Sequence, residues 1–287
     1  MKIKLLTFIF TIFLASFSYS SNLHSYMSGV ETQNQLIYNY GNTLDSCGMN
    51  KPAYACSGVL LRARETFTTR YHTWDPSPTQ KNKKGVSFSY IRSDINFKRF
   101  AYNYNTGYIF FPTDLTPHSQ KKINFKCIYP IDGATDSRRP TACDAYGANK
   151  YTAPCQTINI ATGNDWYSKY KGLQENQICG FDINPTAIGG AIAGFNAGMD
   201  AIRLIKSPVQ NEIISDLWSS GDGANLPLMA FFYISGTQGI QSAKLNQADY
   251  ANTTNIWVPV IEVVMPDQES DFFRFYFNAE DQQISQP

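Results

Sequence analysis

Four small groups of residues in this chain carry side chains suited to chemistry. Arg62 closes an apolar run, SGVLLR, at residues 57–62. Ser87 and Ser89 stand two apart in GVSFSYI, residues 85–91. Gln247, Asp249 and Tyr250 form a Q-x-D-Y group, and Glu262 sits in the middle of VPVIEVV. A guanidinium presents a planar fork that suits bidentate recognition of oxyanions. A fixed carboxylate can stabilise positive charge that develops in a transition state. A lone glutamate in an apolar strand needs a reason, because burying its charge is expensive, unless it faces solvent on an edge strand. His72 and His118 suggest a different chemistry, an acid–base pair for a secreted nuclease or other hydrolase. Each group also has a plainer structural reading: a strand-end arginine, the polar face of a strand, a solvated acid on a helix, a loop histidine. The three histidines are scattered and no C-x-x-C occurs, so the pattern points to no metal site.

The elements that must position these side chains are legible in outline. Residues 57–62 read as a buried strand rich in valine and leucine. Residues 85–91 alternate, with Val86, Phe88 and Tyr90 on one face and Ser87, Ser89 and Ile91 on the other. The stretch between them, 65–84, is a polar loop containing His72 and a lysine-rich turn. Residues 22–48 suit a helix or an extended arm. Ser93 is a good N-cap, and Ile95, Phe97, Phe100 and Ala101 follow at near-helical spacing, which predicts a helix. Strands are expected at 107–112 and 124–131, and a short helix at 164–171. Residues 187–204 carry Gly190, Gly194 and Gly198 at four-residue steps, the pattern of a buried helix in close contact with another. Ser207-Pro208 predicts a helix start leading into 209–218. Residues 226–234 and 255–266 are strongly buried strands, 236–254 is polar with helical pieces, and 271–277 suits one more strand.

Charge and composition exclude some classes. Lys2 and Lys4 followed by an apolar run to Phe17, then Ser18-Tyr19-Ser20, predict a signal peptide over residues 1–20 with cleavage after Ser20. The net charge of +1 includes those two lysines, so the mature chain, 21–287, stands at −1. No bulk basic field favours nucleic acid or an anionic membrane, and no mature segment reads as a membrane span. Aromatic residues reach 14%, which would also suit carbohydrate contact. All six cysteines lie in the mature part, which predicts disulfides formed in a periplasmic or extracellular compartment. Local pairing is the simplest of the possible connectivities: Cys47–Cys56, Cys127–Cys143 and Cys155–Cys179.

The chain order of arginine, S-x-S and Q-x-D-Y resembles the ADP-ribosyltransferase family in its bacterial toxin branch. The phrases CSGVLLRA, HTWDPSP, GVSFSY, GYIFFP and CGFD are similar to halovibrin-type secreted proteins, a likeness that spans most of the mature chain. That resemblance implies an α+β fold with a core of two packed antiparallel sheets, helices around it, and a disulfide-bearing insertion at roughly 105–205 within one catalytic domain. It implies cleavage of the nicotinamide–ribose bond of NAD, by NAD glycohydrolase or mono-ADP-ribosyltransferase activity, in a virulence or toxin role. NAD would be a substrate and not a recycled cofactor; a host protein acceptor would be a further partner. Arg62 would bind NAD phosphate or ribose, and His72 would touch the ribose. Ser87 would line the nicotinamide pocket and Ser89 would orient the carboxylate. Asp249 would be the catalytic carboxylate and Gln247 would orient the nucleophile. The family motif ends in glutamate where this chain has Asp249, so Glu262 stands as the alternative carboxylate. A non-catalytic secreted binding or adhesion protein, contacting glycans through its aromatic residues, is the competing expectation.

Overall fold

A nine-stranded, mostly antiparallel sheet organises the chain, with four α-helices among the described residues packed on its two faces. The computed structural model describes residues 23–65, 71, 85–133, 143, 154–172, 178–187, 189–205, 210–215, 225–266 and 272–287. The elements in chain order are β1 (His24–Ser25), α1 (Gly29–Gly41), β2 (Val59–Arg64), β3 (Val86–Ile91), β4 (Thr106–Phe110) and β5 (Phe125–Tyr129). They continue with α2 (Gly163–Tyr170), β6 (Phe181–Asp182), α3 (Ala191–Leu204), β7 (Glu212–Ser215), β8 (Leu228–Ile234) and α4 (Gly239–Thr254). The last are β9 (Ile256–Trp257), β10 (Val260–Val264) and β11 (Arg274–Phe277). Residues 1–20, where a signal peptide was expected, and His72 lie outside the described residues. Among the described residues no helix is long and apolar enough to cross a membrane.

The sheet runs β11-β10-β8-β4-β2-β3-β7-β5-β6, a mixed α+β architecture. Two separate packed sheets were expected; the strands instead join through β3. Its end residues, Ser89 to Ile91, pair with β2, and its first residues, Val86 to Phe88, pair with β7. Among the described residues, the one parallel pair in this sheet is β10 with β8. One face carries the larger core, with Leu60, Phe88, Tyr90, Tyr108, Phe110 and Phe231. The other buries Val59, Leu61, Ile91, Ile109, Phe111 and Phe232 with Leu36 and Tyr40 of α1. This separation follows from the period-2 alternation of a strand.

Local chemistry sets the helix starts. Ser28 and Glu31 form a reciprocal capping box at α1, with bonds of 3.2 and 2.8 Å. Thr162 and Asp165 do the same at α2, at 3.1 and 3.0 Å. Helix α3 lies against the sheet, and its glycines face strands. A Cβ on Gly194 would sit 2.1 Å from the Asp182 carbonyl of β6, and one on Gly198 would sit 2.6 Å from Ile128 of β5. Gly194 and Gly198 therefore make a helix-on-sheet contact, while the expected close helix contact is made by α2, where a Cβ on Gly163 would sit 2.5 Å from the Ala201 amide nitrogen.

Two other expectations are corrected. Residues 93–100 form no helix: Ile95 joins one core while Phe97 and Phe100 join the other, so their side chains share no single face. Residues 212–215 form strand β7, paired with both β3 and β5, where a helix over 209–218 was expected. Ile213 and Ile214 are both fully buried, one in each direction of the pleat, and pairing on both edges outweighs the helix-start signal. Pro259 splits the long apolar run into β9 and β10, since it lacks a ladder donor.

The cysteines pair as Cys47–Cys56, Cys127–Cys143 and Cys155–Cys179. The two ends of the described chain meet. Strand β1 pairs in parallel with β9. The Gly29 amide donates to Gln286 Oε1 at 3.0 Å, and the Phe277 amide donates to Gln33 Oε1 at 2.7 Å.

Candidate functional site

Strand register assembles the site. Arg62 pairs with Tyr108, Tyr108 with Phe231, and Phe231 with Val260, in one row across β2, β4, β8 and β10. The next row on the same face holds Arg64, Thr106, Tyr233, Glu262 and Tyr276. Arg62 and Glu262 therefore share a face. Three strand spacings separate them, on the order of 14 Å across the sheet. Helix α4 covers this face over β4, β8 and β10, and carries Gln247, Asp249 and Tyr250.

Between helix and sheet lies an aromatic cluster that fixes the site's floor. Tyr71 meets Tyr250 edge-on at 4.5 Å, Phe231 at 5.9 Å and Tyr108 at 6.2 Å. Phe231 touches Tyr108 at 5.6 Å and Tyr250 at 5.9 Å. Edge-to-face pairs of this kind add rigidity beyond area burial.

Arg62 is 7% exposed, and its Nη1 donates to the Ser87 carbonyl at 2.8 Å. Burial pushes its guanidinium down to about 9, with Arg64 adding repulsion, while Tyr108, Glu212 and Tyr104 act in the opposite sense. It remains a cation at neutral pH. Burial raises the Tyr108 phenol; the Arg64 and Arg62 charges oppose that rise and the Asp249 carboxylate adds to it. Asp249 itself is half-buried on α4. The arrangement is a buried cation and a partly accessible carboxylate on either side of an aromatic floor.

The structure separates other predicted residues from that pair. Ser89 lies opposite Leu61, and Ser87 opposite Ile214, so both side chains share the face of Leu61 and Ile91. That is the face opposite the Arg62 side chain. The S-x-S strand meets Arg62 through the Ser87 carbonyl. Gln247 is fully buried, and its amide is saturated. Nε2 donates to the Val258 carbonyl and to Gln282 Oε1, both at 2.9 Å. Oε1 accepts from the amides of Gln283 and Ile284 at 2.8 and 3.0 Å. No part of it remains to orient a nucleophile; it holds the C-terminal tail against α4.

Glu262 occupies a polar cluster the sequence did not announce. Its Oε1 accepts from Ser235 Oγ at 2.6 Å and its Oε2 from Asn278 Nδ2 at 3.3 Å. The Tyr233 hydroxyl donates to Asp281 at 2.5 Å, and Asn278 also donates to Asp281 at 3.0 Å. Burial, then the bond to and charge of Asp281, then the charge of Glu262, raise the Tyr233 phenol. Partner residues 278 and 281 follow β11, so only the tertiary fold brings them to β10. His118 is exposed, and His72 lies outside the described residues. Among the described residues no group of three or more His, Cys, Asp or Glu is placed to hold a metal.

No protein-family model matches this chain, and no curated protein sequence matches it.

Proposed function

We propose that this chain is a secreted enzyme that breaks the nicotinamide–ribose bond of NAD, as a glycohydrolase, a mono-ADP-ribosyltransferase, or both. The observation that carries the reading is that Arg62 pairs with Tyr108 in the sheet and that α4, which bears Asp249, packs over strands β4, β8 and β10 beside them. In this reading Arg62 holds the diphosphate or ribose through its guanidinium. Asp249 stabilises the oxocarbenium charge that forms at the ribose as nicotinamide leaves. The aromatic floor keeps the reacting bond away from bulk water. The Ser87 carbonyl orients Arg62, and Gln247 fixes the helix that carries Asp249.

Nicotinamide release from NAD by the purified mature protein, between pH 5 and 9, is the direct test. Asp249→Asn should lower kcat by about 10²–10³-fold, the cost of one preorganised electrostatic group. Its melting temperature should stay near wild type, since Asp249 is half-exposed. If Glu262→Gln abolishes release and Asp249→Asn does not, the assignment of the carboxylate is wrong. No release by wild type anywhere in that pH range ends the reading.

One observation favours a second reading, a non-catalytic secreted protein that binds glycans. Tyr102 is 85% exposed, held in the left-handed region at φ 54°, with its ring 5.5 Å from that of Tyr104 and tilted 43° to it. Glycan binding lost in Tyr102→Ala and unaffected by Arg62→Lys or Asp249→Asn would select it.

A further inference from the structure

Past the end of β4, away from Arg62, lies a pocket of about 200 Å³. Segments distant in sequence bring Lys51, Tyr54, Thr113, Asp114, Lys122 and Ala191 to its wall. The volume is below the range for drug-sized ligands and suits a small ion or a compact metabolite.

Tyr54 is the first indication of what it takes. The residue is 7% exposed, and its ring is held edge-on by Phe125 at 4.7 Å and Phe195 at 5.3 Å. Its hydroxyl makes no hydrogen bond among the described residues, yet it is not sealed in the core; it opens on the pocket it lines. Burial first, and then the charge of Asp114, push this phenol up to about 12, so it keeps its proton and acts as a donor.

The second indication is the start of α3, which is independent of Tyr54. Gly190 is the N-cap, at φ 88°, and no side chain caps the helix. A Cβ built on Gly190 would meet nothing within 4 Å, so this end of the helix faces open space. The first amides of the helix, from Ala191 onward, point outward with the positive end of the helix dipole. Charge agrees with both. Lys51 is paired to Asp114 at 3.0 Å, which leaves the Lys122 ammonium, exposed and in no ion pair among the described residues, as the surplus charge.

The geometry points to an oxyanion site that takes a phosphate group, free or as the end of a small phosphomonoester. The phosphate oxygens accept from the Tyr54 hydroxyl, the Thr113 hydroxyl and the first amides of α3, while Lys122 balances the charge. This site does not depend on the NAD reading.

The test is a titration of the mature protein with inorganic phosphate and, separately, with glycerol 3-phosphate, followed by calorimetry at low ionic strength. Saturable one-to-one binding is expected. Tyr54→Phe removes only the hydroxyl and should weaken binding by about tenfold, the worth of one charge-assisted hydrogen bond. Because that hydroxyl has no protein partner, Tyr54→Phe should melt at or above the wild-type temperature, so lost binding cannot be lost folding. Lys122→Gln, a surface change, should also weaken binding and flatten its salt dependence. Tighter binding of the ester identifies a phosphomonoester as the ligand; tighter binding of the free ion identifies phosphate. Absence of saturable binding to either, or wild-type affinity in both variants, overturns the site.

Discussion

Replacing Gln247 by alanine distinguishes a structural glutamine from a catalytic one. The wild-type amide makes four hydrogen bonds, to the Val258 carbonyl, the Gln282 side chain and the amides of Gln283 and Ile284. Each is worth about 1 kcal/mol net. The amides of Gln283 and Ile284 lie near the surface and can turn to water, which recovers part of the loss. Val258 is 3% exposed, so its carbonyl loses a partner that water does not replace. The loss should total roughly 3 kcal/mol, which for a domain of this size lowers Tm by about 6–12 °C. Thermal unfolding by near-ultraviolet circular dichroism measures it, and hydrogen exchange at Gln283 and Ile284 should speed up in the same variant. Assayed well below its melting temperature, Gln247→Ala should keep most of the wild-type kcat. A Tm within about 2 °C of wild type together with a large loss of kcat would refute the structural role and return Gln247 to the reacting centre. Gln247→Glu sharpens the test. Its second oxygen would face two acceptors, Val258 O and Gln282 Oε1, so the buried side chain would hold a proton. That variant should be less destabilised at pH 4 than at pH 7.

Two further perturbations probe the frame around the site. Arg92 is 1% exposed and pairs with Asp94 through Nε at 2.7 Å and Nη2 at 2.8 Å, while Arg203 reaches the same carboxylate. Burial is the largest single influence on Asp94 and opposes its ionisation, but the bonds and charges of Arg92 and Arg203 together hold it below its ordinary value. A depressed carboxyl contributes stability above the unfolded value of about 3.9, and that contribution is lost as pH falls through the folded one. Asp94→Asn should therefore cost about 2–4 kcal/mol at pH 7, and its stability should fall less than wild type below about pH 4 in urea titrations. In Gly107→Ala, the new Cβ would sit 2.1 Å from the Arg62 carbonyl and 2.9 Å from the Ala63 Cα. Both obstacles are backbone, so the pairing of β2 with β4 must shift, at more than about 2 kcal/mol by chemical denaturation.

The parts of the fold that the sequence discloses are those with period or composition. The apolar runs at 57–62 and 226–234 become β2 and β8, and neighbouring cysteines join. Helix α4 was hard to see because its buried side is made of Gly239, Ser242, Asn246 and Gln247 along with Ala243 and Tyr250. Such a face is polar by composition, and part of it is met by bonds formed on burial: Asn246 Nδ2 donates to the Ser242 carbonyl at 2.8 Å and Gln247 Nε2 to the Val258 carbonyl at 2.9 Å. The alternation of β3 correctly puts Ser87 and Ser89 on one side of their own strand. It cannot say which side Arg62 takes, because that depends on register between strands. Pairing of Leu61 with Ser89 sends the serines one way and Arg62 the other, and a slip of one residue would have reversed it. Residues 278 and 281 carried no signal at all, since nothing in the chain near Glu262 announces a polar cluster built from beyond the next strand.

The meeting of the chain's two ends sets an order of events in folding. Residues 24 and 25 are held by a strand near residue 256, and the α1 segment is tied to residues 277 and 286. A chain still being made therefore has α1 without part of its packing until residues 274–286 are available. Helix α1 must hold through its own capping box until then, and its apolar face stays open to other chains for that whole interval. Shortening the chain by its last few residues removes the clasp for the first helix as well as the tail. A linker joining the two ends should let the same fold be opened at a surface loop elsewhere.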